Sequence, residues 1–215
     1  MNRAPGSFRD PAGHVFSTSE RIFRGISKDT ADWFRGFLRS SYFKERAGTL
    51  IVNTHEVSHE EVITAGIPAD DVKAYGMWVE HDLLPFISYP YEWSFDALKE
   101  AACLTLKLLA DALDNGYTLK DASAYNVQFI HSRPIFMDVL SFCQYREGDP
   151  YLGYKQFCEH FLAPLCLAVY SGIDFNQWFR GRLDGLDLAE VSKALPLSSC
   201  FRPHVLSHIH VQAWA

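Results

Sequence analysis

The sequence lacks the patterns that mark several large functional classes. It has no run approaching the roughly 18 apolar residues of a membrane-spanning helix, and its first residues lack the apolar core of a signal peptide. Lysine and arginine form no dense cluster, and the formal net charge is −6. These absences argue against a membrane protein, a secreted protein and a protein that binds nucleic acid. We therefore expect a cytoplasmic protein.

Cysteine usage supports the same compartment. The five cysteines show neither C-x-x-C spacing nor an even count, so the sequence offers no disulfide framework or zinc pattern. Most of them lie in apolar helical patterns, where buried free thiols are expected. With 215 residues, of which 48% are hydrophobic and 21% charged, the composition is that of a globular protein. The length allows one domain or one domain with two lobes.

The first part of the chain predicts a small lobe of mixed secondary structure. Residues 1–13 are rich in glycine and proline and are expected to be a flexible lead. Residues 14–88 form the predicted lobe. Its elements are short strands at 14–16, 21–26 and 49–53, a helix over 28–47, and further short elements up to residue 88.

Residues 89–215 predict a mostly helical second lobe. Its clearest element is a helix that starts after Ser94, repeats apolar residues at helical spacing to Leu113, and ends at Asn115-Gly116. A helix over 154–170 follows later, and Pro164 is expected to kink or split it. The fold class predicted for the whole chain is α+β.

The chemistry is concentrated between Tyr117 and Phe142. Asp121 is followed five residues later by Asn126, and Asp138 comes twelve residues after that. An apolar hairpin pattern separates the last two, and a hairpin brings its ends together. Two hard oxygen ligands at one end of a hairpin suit Mg²⁺. Asp121 would then orient or deprotonate a hydroxyl group.

Asp121-x-x-x-x-Asn126, a hairpin and then Asp138 resemble the catalytic and metal-binding segment of protein-kinase-like phosphotransferases, a superfamily that includes the aminoglycoside kinases. The resemblance implies a two-lobed fold with a reduced N-terminal β-lobe and a mostly helical C-terminal lobe. It also implies Mg²⁺ and ATP as cofactors, with Asp121 as the catalytic residue and Asn126 and Asp138 as metal ligands. Lys120, next to Asp121, is a candidate phosphate contact.

The same resemblance assigns roles in the first lobe. No G-x-G-x-x-G occurs, so the usual phosphate-covering loop is absent or replaced. The strand over 21–26 carries Arg24 where the family has lysine, with Glu45 as its expected ion-pair partner. These two residues complete the predicted nucleotide site. The other interpretation of both is a solvated surface pair.

Four further segments, covering residues 88–106, 118–129, 134–142 and 153–165, resemble the N-terminal region of bacterial SAM-dependent methyltransferase-like proteins, a group that includes nodulation-type proteins. In those proteins this region precedes a separate methyltransferase domain. The resemblance implies an alternative function, a catalytically inactive kinase-like module that serves a methyltransferase domain or partner. The chain has no Gly-rich turn of a SAM-binding Rossmann domain, so it is not expected to methylate by itself.

Two features near the C-terminus leave alternatives open. His204, His208 and His210 lie within seven residues, which suggests either a zinc site or a packed tail. Several aromatic residues are candidates for contact with a partner domain, and these are Trp178, Phe179, Phe201 and Trp214. The substrate, beyond a hydroxyl-bearing molecule, is not specified by the sequence.

Overall fold

The computed structural model describes residues 2–3, 12–18 and 20–214. It confirms the α+β class, and its residues group into two compact units. The first comprises Met1–Pro85 together with Asp138–Leu140, and the second comprises Phe86–Met137 and Ser141–Ala215. The chain passes from the first unit to the second after Pro85, and the division into two kinase-like lobes at residue 88 stays a prediction.

A five-stranded antiparallel sheet organises the first unit, with strand order β1-β2-β3-β5-β4. The strands are β1 (Asn2–Arg3), β2 (Gly13–Ser17), β3 (Ile22–Ile26), β4 (Thr54–Val57) and β5 (Met77–His81). The predicted strands at 14–16 and 21–26 are confirmed as β2 and β3. Of the predicted lead, Asn2–Arg3 pairs with β2, and residues 4–11 lie outside the described part of the chain.

The strand predicted at 49–53 is wrong. The N–H groups of Leu50 and Ile51 both bond to the carbonyl of Arg46, at 2.9 and 3.0 Å, and close a tight turn there. Gly48 allows the turn because its φ is +73°. Ile51 makes only an isolated bridge to Ala47, and the strand begins three residues later, at Thr54.

Four helices complete the first unit, and these are α1 (Lys28–Arg39), α2 (Ser41–Arg46), α3 (His59–Thr64) and α4 (Ala69–Ala74). The single helix predicted over 28–47 is divided at Ser40, whose backbone is extended and whose hydroxyl caps α2 by accepting from the Phe43 N–H. A core cluster lies between sheet and helices, made of Phe16, Phe23, Val57, Val62, Ile67, Val72 and Trp78.

Alternation along β3 places Arg24 on the face opposite to that core. Phe23 is fully buried, and Gly25 lies so close to Tyr75 that a Cβ would be 2.7 Å from its ring. Because successive side chains of a strand point to opposite faces, Arg24 projects away from both neighbours.

The second unit begins with the predicted central helix, α5 (Phe95–Leu113). Ser94 caps it by accepting from the Ala97 N–H at 3.2 Å, and Gly116 with a φ of +78° follows its end. Four short strands come next, namely β6 (Tyr117–Leu119), β7 (Val127–Ile130), β8 (Arg133–Phe136) and β9 (Phe142–Gln144). β7 and β8 form the predicted hairpin, and β6 pairs with β9. The loop over residues 120–126 therefore has a paired strand at each end.

The rest of the second unit is helical, as predicted. A continuous helical run starts with α6 (Tyr154–Phe157), becomes π-helical over Cys158–Leu162, continues as α7 (Ala163–Cys166) and is π-helical again over Leu167–Ser171. Pro164 lies in the first turn of α7, and the helical run continues through it, so the split expected there is not formed. The remaining helices are α8 (Asn176–Gly181), α9 (Leu188–Ala194) and α10 (Pro203–Val205). Among the helices of the described residues, none is both long enough and apolar enough to cross a bilayer.

Candidate functional site

The loop between β6 and β7 holds Asp121 and Asn126 together within the second unit. Asp121 Oδ1 accepts the backbone N–H of Ser123 at 2.9 Å and the side-chain N–H of Asn126 at 3.0 Å. A single 3-10 turn, Ala124–Asn126, brings the two residues together, and Ser123 caps it by accepting from Tyr125 N–H at 3.2 Å. The structure therefore connects two of the predicted site residues directly.

The amide of Asn126 has a defined orientation. Its Nδ2 donates to Asp121 Oδ1 and, at 3.2 Å, to Ser141 Oγ. An ionised carboxylate only accepts hydrogen bonds, so the atom facing Asp121 has to be the nitrogen. Both amide hydrogens are thereby used, and within the described residues Oδ1 is the side-chain atom left without a protein partner.

Both ends of the hairpin lie next to Asn126, the last residue of the loop. Val127 is paired with Phe136, and the backbone N–H of Met137 donates to the carbonyl of Asn126 at 2.7 Å. Asp138 follows Met137 in the chain but groups with the first unit, whereas Asn126 belongs to the second. Their predicted joint role as metal ligands stays a prediction.

Asp138 forms an ion pair with Arg24 inside the first unit. Arg24 Nη1 lies 2.5 Å from Asp138 Oδ1, and the two side chains are only 13% and 21% exposed. The Nε of Arg24 is buried and makes no hydrogen bond to any described residue. A buried guanidinium donor without an acceptor is energetically costly.

A buried histidine lies in the same unit. His81 Nδ1 is 2.8 Å from the hydroxyl of Thr54. Burial, and then the positive charge of Arg24, lower the pKa of His81 to about 3. His81 is therefore neutral near pH 7, so the charged side chains next to it are those of the Arg24–Asp138 ion pair.

The expected pairing of Arg24 with Glu45 is not formed. Glu45 follows Lys44 on α2, its side chain is 71% exposed, and its carboxylate lies 3.6 Å from Arg46. Arg24 forms its ion pair with Asp138 instead. Lys120 has an exposed side chain, and its backbone N–H donates to the carbonyl of Ser141 at 2.8 Å.

Three side chains that support the loop were missed by sequence analysis. The backbone N–H of Ala122 donates to Gln156 Oε1 at 2.7 Å, and that of Ala124 donates to His160 Nδ1 at 3.3 Å. Ser141 accepts from Asn126. Two of them come from the helical run that begins at Tyr154, where Gln156 and His160 stand next to the charged residues Lys155 and Glu159 and show no distinctive spacing.

Tyr151 adds a buried hydroxyl near this loop. The hydroxyl makes no hydrogen bond to any described residue, and burial, followed by the negative charge of Asp121, raises the pKa of the phenol well above its ordinary value. The phenol is therefore neutral. A Cβ on Gly153 would lie 2.9 Å from this hydroxyl and 3.0 Å from Ala122. Glycine at position 153 therefore leaves room for the Tyr151 side chain next to the backbone there.

Each C-terminal histidine contacts one or two hydroxyl groups, and no two of them share a partner. His204 contacts Tyr170, and His208 contacts Tyr154 at 2.6 Å. His210 lies 2.8 Å from the hydroxyls of both Ser192 and Ser199. Across residues 2–3, 12–18 and 20–214, no group of three or more His, Cys, Asp or Glu side chains is arranged to hold a metal ion.

The predicted partner-facing aromatic residues fall into two sets. Phe179 is buried against His160 and Tyr125, at ring-centroid distances of 5.6 and 6.2 Å. Trp178 is 36% exposed, Phe201 87% and Trp214 92%. Trp214 lines a groove of about 470 Å³, whose other residues are mostly apolar and include Leu197 and Leu206.

Comparison with known proteins gives one informative likeness. No family model matches the chain. It is 40% identical over 212 residues to nodulation protein NoeA of Rhizobium meliloti (strain 1021), a match that covers 98% of this chain and 43% of that protein. The likeness agrees with the expected resemblance to a nodulation-type protein. The chain spans less than half the length of this relative.

Proposed function

We propose that the chain is a kinase-like module that binds a Mg²⁺–nucleotide and transfers phosphate to a hydroxyl group of its substrate. The observation that carries the proposal is the Asp121–Asn126 hydrogen bond in the loop before the hairpin. This bond fixes a carboxylate beside an amide whose oxygen has no partner among the residues that the structure describes. The spacing of Asp121, Asn126 and Asp138 supports the same conclusion.

The chemistry of the donors fits Mg²⁺. Asn126 Oδ1 is a hard oxygen without a protein partner among the described residues, and Asp138 supplies a carboxylate, so these two residues would hold the ion. When bound, Mg²⁺ would neutralise charge on the nucleotide phosphates. Arg24, which stands where the resemblance expects a lysine, would supply positive charge to the nucleotide phosphates.

Asp121 would act on the substrate. Two N–H donors on Oδ1 fix the plane of its carboxylate before any substrate arrives. A carboxylate held in this way can accept the proton of a substrate hydroxyl as that hydroxyl attacks phosphorus. Positioning and charge neutralisation would therefore account for most of the rate acceleration.

Nucleotide binding tests the proposal. Thermal shift and calorimetric titration with ATP, with and without Mg²⁺, should show stabilisation that depends on the metal. Asn126→Ala and Asp138→Asn should each weaken Mg²⁺–ATP binding by about tenfold or more, and Asp70→Asn, at a fully exposed side chain, is the matched control. Asp121→Asn should keep binding and lose phosphate transfer. The absence of any nucleotide effect on the wild-type protein would refute the proposal.

A second function is favoured by a different observation. The relative of the chain is more than twice its length, and the groove that contains Leu197 and Trp214 exposes apolar surface. Both fit a catalytically inactive module that contacts a further domain, such as the methyltransferase domain suggested by the sequence. Such a module would bind neither Mg²⁺–ATP nor SAM by itself. Saturable SAM binding to this chain would contradict both proposals.

A further inference from the structure

Gln156 and His160 hold the backbone of the loop that carries Asp121. We propose that they are positioning residues, whose side chains accept loop N–H groups and thereby fix the orientation of the Asp121 carboxylate and the Asn126 amide. This inference rests on the proposed function for its effect on nucleotide binding, but its structural part stands independently.

The hydrogen bonds involve three consecutive N–H groups. The N–H of Ala122 donates to Gln156 Oε1 at 2.7 Å, that of Ser123 donates to Asp121 Oδ1 at 2.9 Å, and that of Ala124 donates to His160 Nδ1 at 3.3 Å. Each donor has a different side-chain acceptor. A short loop whose N–H groups are all assigned in this way has little freedom to rotate its peptide planes.

The helical run presents both acceptors on one face. Gln156 lies in α6 and His160 lies four residues later, in the π-helical segment Cys158–Leu162. Residues four apart project from the same side of a helix. Single π-helical turns within helices often occur at functional sites, where they change the direction of a side chain. The π-helical turn is thus the local feature that accompanies the placement of His160.

His160 is constrained to the form that can accept. It is 2% exposed, and burial lowers its pKa to about 4, so the ring is neutral near pH 7. Nδ1 faces the N–H of Ala124 and must carry the lone pair, while the backbone of Asp184 interacts with the ring as a hydrogen-bond acceptor. The proton therefore lies on Nε2. The edge-to-face rings of Tyr125 and Phe179, at 6.0 and 5.6 Å, hold the imidazole plane.

A purely space-filling role does not account for these residue types. A half-buried amide and a buried imidazole each cost desolvation energy, and an aliphatic side chain would fill the same volume without that cost. The polar atoms are needed because the Ala122 and Ala124 N–H groups would otherwise be buried without partners. The acceptor atom, rather than the volume, is what the loop requires.

Matched substitutions separate the two roles. His160→Asn places an amide oxygen near the position of Nδ1, whereas His160→Leu has no acceptor. Gln156→Met removes the other acceptor with little change of shape. Hydrogen exchange of individual backbone amides, followed by NMR, should show about tenfold faster exchange of Ala124 in His160→Leu and of Ala122 in Gln156→Met. His160→Asn should restore the protection of Ala124.

Calorimetry with Mg²⁺–ATP gives the functional readout. The dissociation constant should rise about five- to tenfold in His160→Leu and Gln156→Met, and stay near the wild-type value in His160→Asn. Equal behaviour of His160→Leu and His160→Asn in amide exchange would overturn the inference. If wild-type protein binds no nucleotide, the proposed function fails, while amide exchange still decides whether these side chains fix the loop. Should His160→Leu not fold, Gln156→Met decides alone.

Discussion

His81 shows how one buried side chain makes stability depend on pH. The residue is 8% exposed, and its Nδ1 contacts the hydroxyl of Thr54. The folded pKa of about 3 lies below the ordinary value of 6.5, mainly because burial disfavours the charged ring. As the pH falls, His81 therefore becomes protonated in the unfolded chain at a higher pH than in the folded protein. The stabilisation is fully present above pH 6.5 and is lost as the pH falls towards 3.

We predict a steeper acid loss of stability in the wild-type protein than in His81→Asn, which keeps a polar partner for Thr54 but does not titrate. Between pH 6 and pH 4 the free energy of unfolding should fall about 1.4 kcal/mol per pH unit faster in the wild type. Urea unfolding at several pH values measures this difference in slope. His59→Asn, at an exposed histidine, should keep the wild-type slope. Equal slopes for wild type and His81→Asn would show that His81 is not held neutral.

At the scale of single residues, sequence analysis identified the loop residues but not their supports. Asp121 and Asn126 are five positions apart, so their spacing is visible in the chain, and the structure joins them by a hydrogen bond. Gln156 and His160 are more than 30 positions away from the N–H groups they accept. Such a pairing depends on how the helical run packs on the loop, and a polar residue beside another polar residue in a helix does not indicate it.

At the scale of elements, local signals decided which predictions were confirmed. α5 has an N-cap serine, a continuous apolar pattern and an Asn-Gly stop, and all three act within the helix itself. β4 was missed because Thr54–Val57 contains two exposed polar residues and is defined by its pairing with β5. Strand pairing between distant segments is a tertiary effect, whereas caps and turns are readable from neighbours.

The β7–β8 hairpin has a turn whose first residue is strained. His131 has a φ of +56°, and among the described residues it is the one non-glycine with a positive φ. A positive φ at the first position of a two-residue turn matches the twist of the flanking strands. His131→Val should lower the free energy of unfolding by about 1–2 kcal/mol, because a β-branched side chain is poorly tolerated there.

Equilibrium unfolding in urea tests this prediction against a neighbouring control. Ser132→Val introduces the same side chain at the adjacent turn position, which has no positive φ, and should change stability by less than about 0.5 kcal/mol. His131→Asn should be tolerated, since asparagine adopts this conformation more readily than most residues. An equal effect of the two valine substitutions would show that backbone strain at His131 is not the cause.

At the scale of the whole molecule, the first unit is built from two separate parts of the chain. Asp138–Leu140 belongs to it although the preceding 52 residues, Phe86–Met137, form part of the second unit. Asp138 pairs with Arg24, and a Cβ on Gly13 would lie 3.0 Å from Leu140. The first unit therefore obtains the counter-charge for its buried arginine from a segment that follows the hairpin.

A fragment that ends at Pro85 should expose this dependence. It contains Arg24 but not Asp138, and a buried guanidinium without its carboxylate is strongly unfavourable. Arg24→Met should therefore stabilise the fragment by about 1–3 kcal/mol. In the full chain the same substitution should destabilise, because it leaves the Asp138 carboxylate without its cation. Arg39→Met, at a side chain that is 71% exposed, should be nearly neutral in both.

Urea unfolding of the fragment and of the full chain, each with and without Arg24→Met, measures the two effects. The substitution should change the free energy of unfolding in opposite directions in the two chains only if Arg24 is paired with Asp138 and with no other carboxylate of the first unit. The outcome matters for the proposed function, because the same pair supplies one predicted ligand of Mg²⁺ and the positive charge proposed to act on the phosphates. A change of the same direction in both chains would mean that Arg24 has another partner. Its proposed role at the phosphates would then be unsupported.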